Sequence, residues 1–163
     1  MFKGLSGKHA IVTGGSTLIG AGLVEAFVKE GATVTIADID AERGQAIADA
    51  CGKGAWFRQT DISDDEQLEA CVAESAKKFG RIDFVVNAAC VYVDDGINAS
   101  RSDWLTSMNV NLISAAMLVK AALPWMKKSG GGAVVNFTSI SSSVAQTGRW
   151  LYPTSKAALA QLT

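Results

Sequence analysis

Short apolar, β-branched runs alternate with helical stretches from one end of the chain to the other, and this alternation limits the possible folds more than any other feature. The runs are Ala10 to Thr13, Thr33 to Ala37, Ala55 to Thr60, Ile82 to Val86 and Ala133 to Thr138. Between them apolar residues recur at helical spacing, as in Ile19, Leu23, Ala26 and Phe27. Several of the strand runs lack polar alternation. A strand that is apolar on both sides has to be covered on both faces, as in a parallel sheet flanked by helices. The order β-α-β-α-β-α-β-α-β-α therefore specifies an α/β fold with a doubly wound parallel sheet.

The helix ends carry their own signals. Gly31, Gly52 and Gly80 close the first three helices. Ser63 followed by Glu66 reads as a capping box at the start of the third. The fourth runs from about Trp104 to Lys127 and is broken by Gly130 to Gly132. The last starts near Tyr152, with Pro153 in its first turn.

A chain of 163 residues with 48% hydrophobic content fills one domain, spanning residues 1–163. Fifteen basic and sixteen acidic residues, with no block of like charge, give no footprint of a nucleic-acid binder. No stretch reads as long and apolar enough to cross a membrane. Met1 to Lys8 lacks the apolar core of a signal peptide. Cys51, Cys71 and Cys90 include no C-x-x-C pair and read as reduced thiols in a cytoplasmic protein. His9 is the single histidine, and no cluster of ligands suggests a metal.

The first strand runs into Thr13-Gly14-Gly15-Ser16-Thr17-Leu18-Ile19-Gly20. A strand, a glycine turn and a helix N-terminus together make an anion site, because backbone N–H groups and the helix dipole point at one place. A P-loop needs Lys and Ser/Thr after its last glycine, and here Gly20 is followed by Ala21 and Gly22. The pattern G-x-G-x-x-G is absent as well. Asp38 ends the second strand, eighteen residues after Gly20, where dinucleotide folds place the acid that binds the adenosine ribose. Asp40 is its rival. Farther on, Tyr152 and Lys156 stand at i and i+4, on one face of a helix. Ser139 follows the fifth strand, and Asn111 lies in the fourth helix with Asn109 as its rival.

In this order, on this strand-helix pattern, these residues resemble the short-chain dehydrogenase/reductase family. The turn is similar to its T-G-x-x-x-G-x-G, with Leu18 in place of the middle glycine. Tyr152 and Lys156 match its Y-x-x-x-K, Ser139 its substrate serine and Asn111 its helix asparagine. Asn87-Ala88-Ala89-Cys90 resembles its N-N-A-G, with Ala88 and Cys90 departing. The resemblance implies a Rossmann-like fold that binds NAD through Gly14, Ser16, Thr17, Leu18, Ile19 and Gly20 at the pyrophosphate and Asp38 at the ribose. It places Asp61 and Ile62 at the adenine, Asn87, Ala88 and Ala89 along the cofactor, and Tyr152 and Lys156 at its nicotinamide end.

The implied reaction is hydride transfer between NAD(H) and a secondary alcohol or ketone, with Tyr152 as acid/base. A free tyrosine ionises near about 10, and three units below that costs roughly 4 kcal/mol. One ammonium at about 4 Å, at an effective dielectric near 20, supplies about as much. Lys156 is thus sufficient in magnitude to activate Tyr152. Ser139 would bond the substrate oxygen, and Asn111 would hold a water that relays protons to Lys156. The alternative from another class is a catalytically silent dinucleotide-binding regulator on the same fold. Epimerases and dehydratases fit the glycine pattern less well.

Val91, Tyr92, Val144, Gln146 and Trp150 fall near the implied pocket and suggest a moderately apolar, cyclic or aromatic substrate. The family implies a homodimer or homotetramer. The sequence stops seven residues after Lys156, partway through a helix, whereas the family continues to a further strand and a substrate-covering loop. The expected fold is therefore one truncated after the fifth strand and the start of the following helix, and incompetent for catalysis by itself.

Overall fold

A computed structural model describes residues 4–163. Five parallel strands lie in the order β3-β2-β1-β4-β5. They are β1 (His9–Thr13), β2 (Thr33–Asp38), β3 (Ala55–Gln59), β4 (Phe84–Asn87) and β5 (Ala133–Asn136). Six helices accompany them: α1 (Leu18–Lys29), α2 (Ala41–Cys51), α3 (Asp65–Phe79), α4 (Arg101–Met108), α5 (Ser114–Lys128) and α6 (Leu151–Leu162).

The central strand shows why the runs are continuously apolar. Side chains alternate across a strand. Ala10 and Val12 of β1 pack with Val24 of α1, Ala48 of α2 and Val34 and Ile36 of β2. Ile11 points the other way, into Leu68, Val72, Leu118 and Ala122 of α3 and α5. Each fully buried aliphatic side chain in these two layers contributes about 1.5–3 kcal/mol.

The chain order reverses at β1. It winds outward to β2 and β3, then returns to β4 and β5 on the other side. Carboxyl ends of strands at such a switch point leave a crevice between the diverging loops. Register aligns these ends: Thr13 pairs with Ala37 and with Asn87, and Asn87 with Asn136.

Several expected boundaries move. The cap of α3 is Asp64, whose carboxylate accepts the N–H groups of Glu66 and Gln67. The Ser63 hydroxyl is already spent on Asp61, at 2.7 Å, so the Ser63–Glu66 capping box does not form. The fourth helix begins at Arg101 rather than Trp104, under a capping box of Ser100 and Asp103. It is also interrupted: Asn109–Ile113 forms one π turn between α4 and α5. Arg101–Lys128 together has a mean hydropathy of 1.2 in its most apolar stretch. Contrary to the expectation, it is long and apolar enough to cross a membrane by length and composition. One side of α5 packs into the core, burying Ser114, Ala115, Leu118, Ala122 and Met126.

Candidate active site

Where β1 ends, the chain turns back on itself. Gly14 has φ +66°, and a Cβ on it would lie 2.7 Å from the Ala89 Cα. A Cβ on Gly20 would collide with the Gly14 carbonyl, so α1 can seat on the turn only through a glycine. Thr17 locks the turn, its hydroxyl donating to the Gly14 carbonyl at 2.7 Å. No side chain caps α1. The orphan N–H groups of its first turn thus face the crevice, as an anion site requires.

Beside this turn lies a cavity of about 190 Å³, lined by Gly14, Thr17, Asp38, Asp61, Ile62, Ala89 and their neighbours. Asp38 is buried, and its carboxylate accepts the N–H of Ser16 at 2.9 Å and of Asp40 at 3.1 Å. The rival Asp40 turns away to cap α2, accepting from Arg43 N–H at 3.0 Å. Asp61 is tied to Ser63 and accepts its N–H at 2.9 Å. Asn87 donates to Asn136 at 2.8 Å and so joins β4 to β5. The Ala89 N–H donates to the Thr13 hydroxyl at 3.3 Å, which brings the segment after β4 against the glycine turn.

A second cavity, of about 320 Å³, adjoins the first through shared Thr17 and Cys90. Its walls bring Leu18, Ile19 and Ala88 together with Tyr92, Thr138, Tyr152 and Lys156. Lys156 is almost wholly buried, yet its ammonium donates to the Phe137 carbonyl at 2.7 Å and lies 5.7 Å from the centre of the Tyr152 ring. The i, i+4 spacing thus puts both side chains at one cavity.

Asn111 sits buried in the π turn behind this cavity. Its amide donates to the Val91 carbonyl at 3.0 Å and to the Ser155 hydroxyl at 3.1 Å, and its oxygen accepts the Val91 N–H at 2.8 Å. The rival Asn109 offers only its carbonyl, to Ser114 at 2.7 Å. π turns recur at functional sites because they re-aim side chains within a helix. Ser139 follows Thr138 at the edge of the cavity, with its hydroxyl donating to Ser141 at 3.1 Å.

Leu18 and Cys90, which depart from the family pattern, are sterically accommodated. Among the described residues only glycines have positive φ, so neither position demands one. Leu18 is 93% exposed and leaves the turn open. Burial pushes the Cys90 thiol up, against the opposing pull of the Lys156 ammonium.

Tyr92 does more than border the pocket. Its ring stacks on Tyr152 with centroids 4.9 Å apart. The Tyr152 hydroxyl, then burial and Cys90, push the Tyr92 phenol up to about 12. Sequence reasoning missed Asp94 entirely. Its carboxylate accepts the N–H of Tyr152 at 2.9 Å and of Trp150 at 3.0 Å. Burial works to raise this carboxyl, but the backbone N–H bonds outweigh it and hold it below the usual carboxylate range. Only the acid itself was visible in the sequence, because its partners at the start of α6 lie more than fifty residues away.

Comparison with known proteins agrees with this arrangement. The family described as short chain dehydrogenase matches residues 8–163. A probable galactose dehydrogenase of Rhizobium meliloti is 35% identical over 99% of this chain and 65% of its own length. An L-fucose dehydrogenase of Bos taurus is 35% identical over 97% of the chain and 58% of its own. A 3-oxoacyl-[acyl-carrier-protein] reductase of Chlamydia pneumoniae is 32% identical over 98% and 66%. The chain thus spans about two thirds or less of the length of these relatives. With the glycine turn, the strand order and the Tyr-Lys pair in one crevice, the chain belongs to the short-chain dehydrogenase/reductase family of oxidoreductases.

Proposed function

We propose that the protein moves hydride between NAD(H) and a secondary alcohol or ketone, with Tyr152 as acid/base. The observation that carries this reading is Tyr152 and Lys156 lining one cavity that opens onto the glycine turn. The donor set suits a dinucleotide: an uncapped helix N-terminus for the pyrophosphate, a buried carboxylate at Asp38 for ribose hydroxyls, and, in the same cavity as Asp38, Asp61 and Ile62 for the adenine. When bound, the nicotinamide supplies the hydride acceptor or donor.

This chain's residues do the rest. Tyr152 takes the alcohol proton, or returns it to a ketone. Lys156, held by the Phe137 carbonyl, places its ammonium at the same cavity, 5.7 Å from the centre of the Tyr152 ring. Ser139, after rotating from Ser141, would bond the substrate oxygen and stabilise charge that develops there. Asn111 braces Val91 and Ser155, and so fixes the helix that carries Tyr152 against the loop after β4.

Relatives named for galactose, L-fucose and D-xylose favour a polyhydroxylated substrate. Three unpaired thiols support a reducing, cytoplasmic setting. A cofactor-fluorescence screen with NAD and a panel of secondary alcohols that includes aldoses tests the reading. NADH formation with at least one of them is expected. NAD binding without turnover on any of them would favour a silent regulator.

A further inference from the structure

We infer that Asp94 positions Tyr152 for proton transfer by clasping the first turn of α6 from the loop after β4. The loop that leaves β4 reaches across to the start of α6. There one Asp94 oxygen accepts the Tyr152 N–H at 2.9 Å. The other accepts the Trp150 N–H at 3.0 Å and, within its own loop, the Gly96 N–H at 3.1 Å. Trp150 contributes no side-chain cap of its own to α6. Tyr152 is the second residue of that helix, so its N–H has no partner inside the helix. A carboxylate is the favoured partner at a helix N-terminus.

The buried Leu151 side chain and the Asn111–Ser155 bond also hold this end of α6, but neither reaches the Tyr152 N–H. Residues 143–150, which lead into it, are all exposed. Tyr152 is instead gripped twice by one loop: its main chain by Asp94, and its ring by Tyr92, two residues before, at 4.9 Å. Lys156 is anchored separately, on the Phe137 carbonyl at 2.7 Å. Loss of the clasp would therefore let the phenol drift relative to an ammonium that stays in place. The glycine turn and Asp38 lie on other elements and would keep their grip on the cofactor. This separates a positioning role from a merely structural cap, whose loss lowers stability without changing turnover of the folded enzyme.

The inference rests on Tyr152 being the acid/base. The test compares Asp94→Ala, Asp94→Asn and Tyr152→Phe in the whole enzyme, below each variant's melting temperature. It reads kcat, substrate KM and NAD Kd, the last by fluorescence. Asp94→Ala should lower kcat by about 10- to 100-fold, as expected for a reacting group about an ångström out of place. Its NAD Kd should stay within about twofold. Asp94→Asn keeps one accepting oxygen and should fall between that variant and wild type. If Asp94→Ala does not fold, a drop of at least about threefold in kcat for Asp94→Asn, at unchanged NAD Kd, supports the inference. It is overturned if kcat stays at the wild-type value in the folded variants, or if kcat and NAD affinity fall together. Tyr152→Phe separates the two ideas. Retained turnover there removes the acid/base reading and this inference with it. A dead Tyr152→Phe beside wild-type-like Asp94 variants removes the inference alone.

Discussion

The Asp38 carboxylate accepts the Ser16 N–H at 2.9 Å and so ties the end of β2 to the turn between β1 and α1. One buried acid thereby shapes the glycine turn and lines the cavity beside it. Its remaining lone pairs can accept from ribose hydroxyls, each charge-assisted bond contributing about 1.5–3 kcal/mol. A 2′-phosphate would meet the same charge and be repelled. No Arg or Lys lies among Gly14 to Gly20, or directly after Asp38, to offset it. The expected ratio of kcat/KM for NAD over NADP is about tenfold or more. Equal values, or a preference for NADP, would refute this account of Asp38.

Leu18 stands in place of the middle glycine of the T-G-x-x-x-G-x-G pattern, and its side chain is 93% exposed. It begins α1 and borders the cavity near Tyr92 without entering the turn. Leu18→Gly is expected to leave NAD affinity unchanged or slightly tighter. Gly20→Ala is expected to do the opposite, because a Cβ there collides with the Gly14 carbonyl and α1 must move off the turn. Fluorescence titration of both variants with NADH checks the pair. A large loss of affinity in Leu18→Gly would reveal a contact that the structure does not contain.

Acid sensitivity is expected from His9, far from the crevice. Its ring is buried, stacks on Phe79 with centroids 4.1 Å apart, and bonds Thr33 at 2.8 Å and Ser75 at 2.8 Å. Burial lowers its pKa from 6.5 to about 4, against the opposing pull of Asp83. The folded state thus keeps the ring neutral while the unfolded chain takes up a proton below about 6.5. The contribution is complete above that pH and is lost as pH falls from 6.5 towards 4, a change of about 3 kcal/mol. Urea midpoints measured across this range should fall more steeply for wild type than for His9→Gln. Parallel curves would show that another group carries the acid sensitivity.

The features set by local spacing were legible in the sequence; those set by long-range contact were not. β1, its glycine turn, Asp38 and the Tyr152–Lys156 pair all follow from local spacing, because strand period, helix period and turn chemistry are local properties. Local spacing leaves Asp38 and Asp40 as rivals, and the structure adds that Asp40 caps α2 while Asp38 lines the cavity. Asn109 and Asn111 could not be separated by helical spacing alone. Both lie in the π turn, and only the burial of Asn111 and its bonds to Val91 and Ser155 set it apart. Ser63 was read as a cap for a sound local reason and lost to Asp64, because Asp61 had already claimed its hydroxyl. The Ser100–Asp103 box was in the sequence and went unread. The local pattern of Asp94 shows only its bond to the Gly96 N–H, since Trp150 and Tyr152, at the start of α6, lie far along the chain.

The central claim is that the phenol of Tyr152, beside the Lys156 ammonium, moves the substrate proton. Its most direct test is Tyr152→Phe in the whole enzyme, which removes one oxygen and keeps the ring that stacks on Tyr92. Turnover and NADH affinity should be measured on the same preparation. The account predicts a loss of kcat of about 100-fold to 10,000-fold, the range for a positioned acid/base, with NADH affinity retained. Wild-type-like kcat in that variant would contradict it.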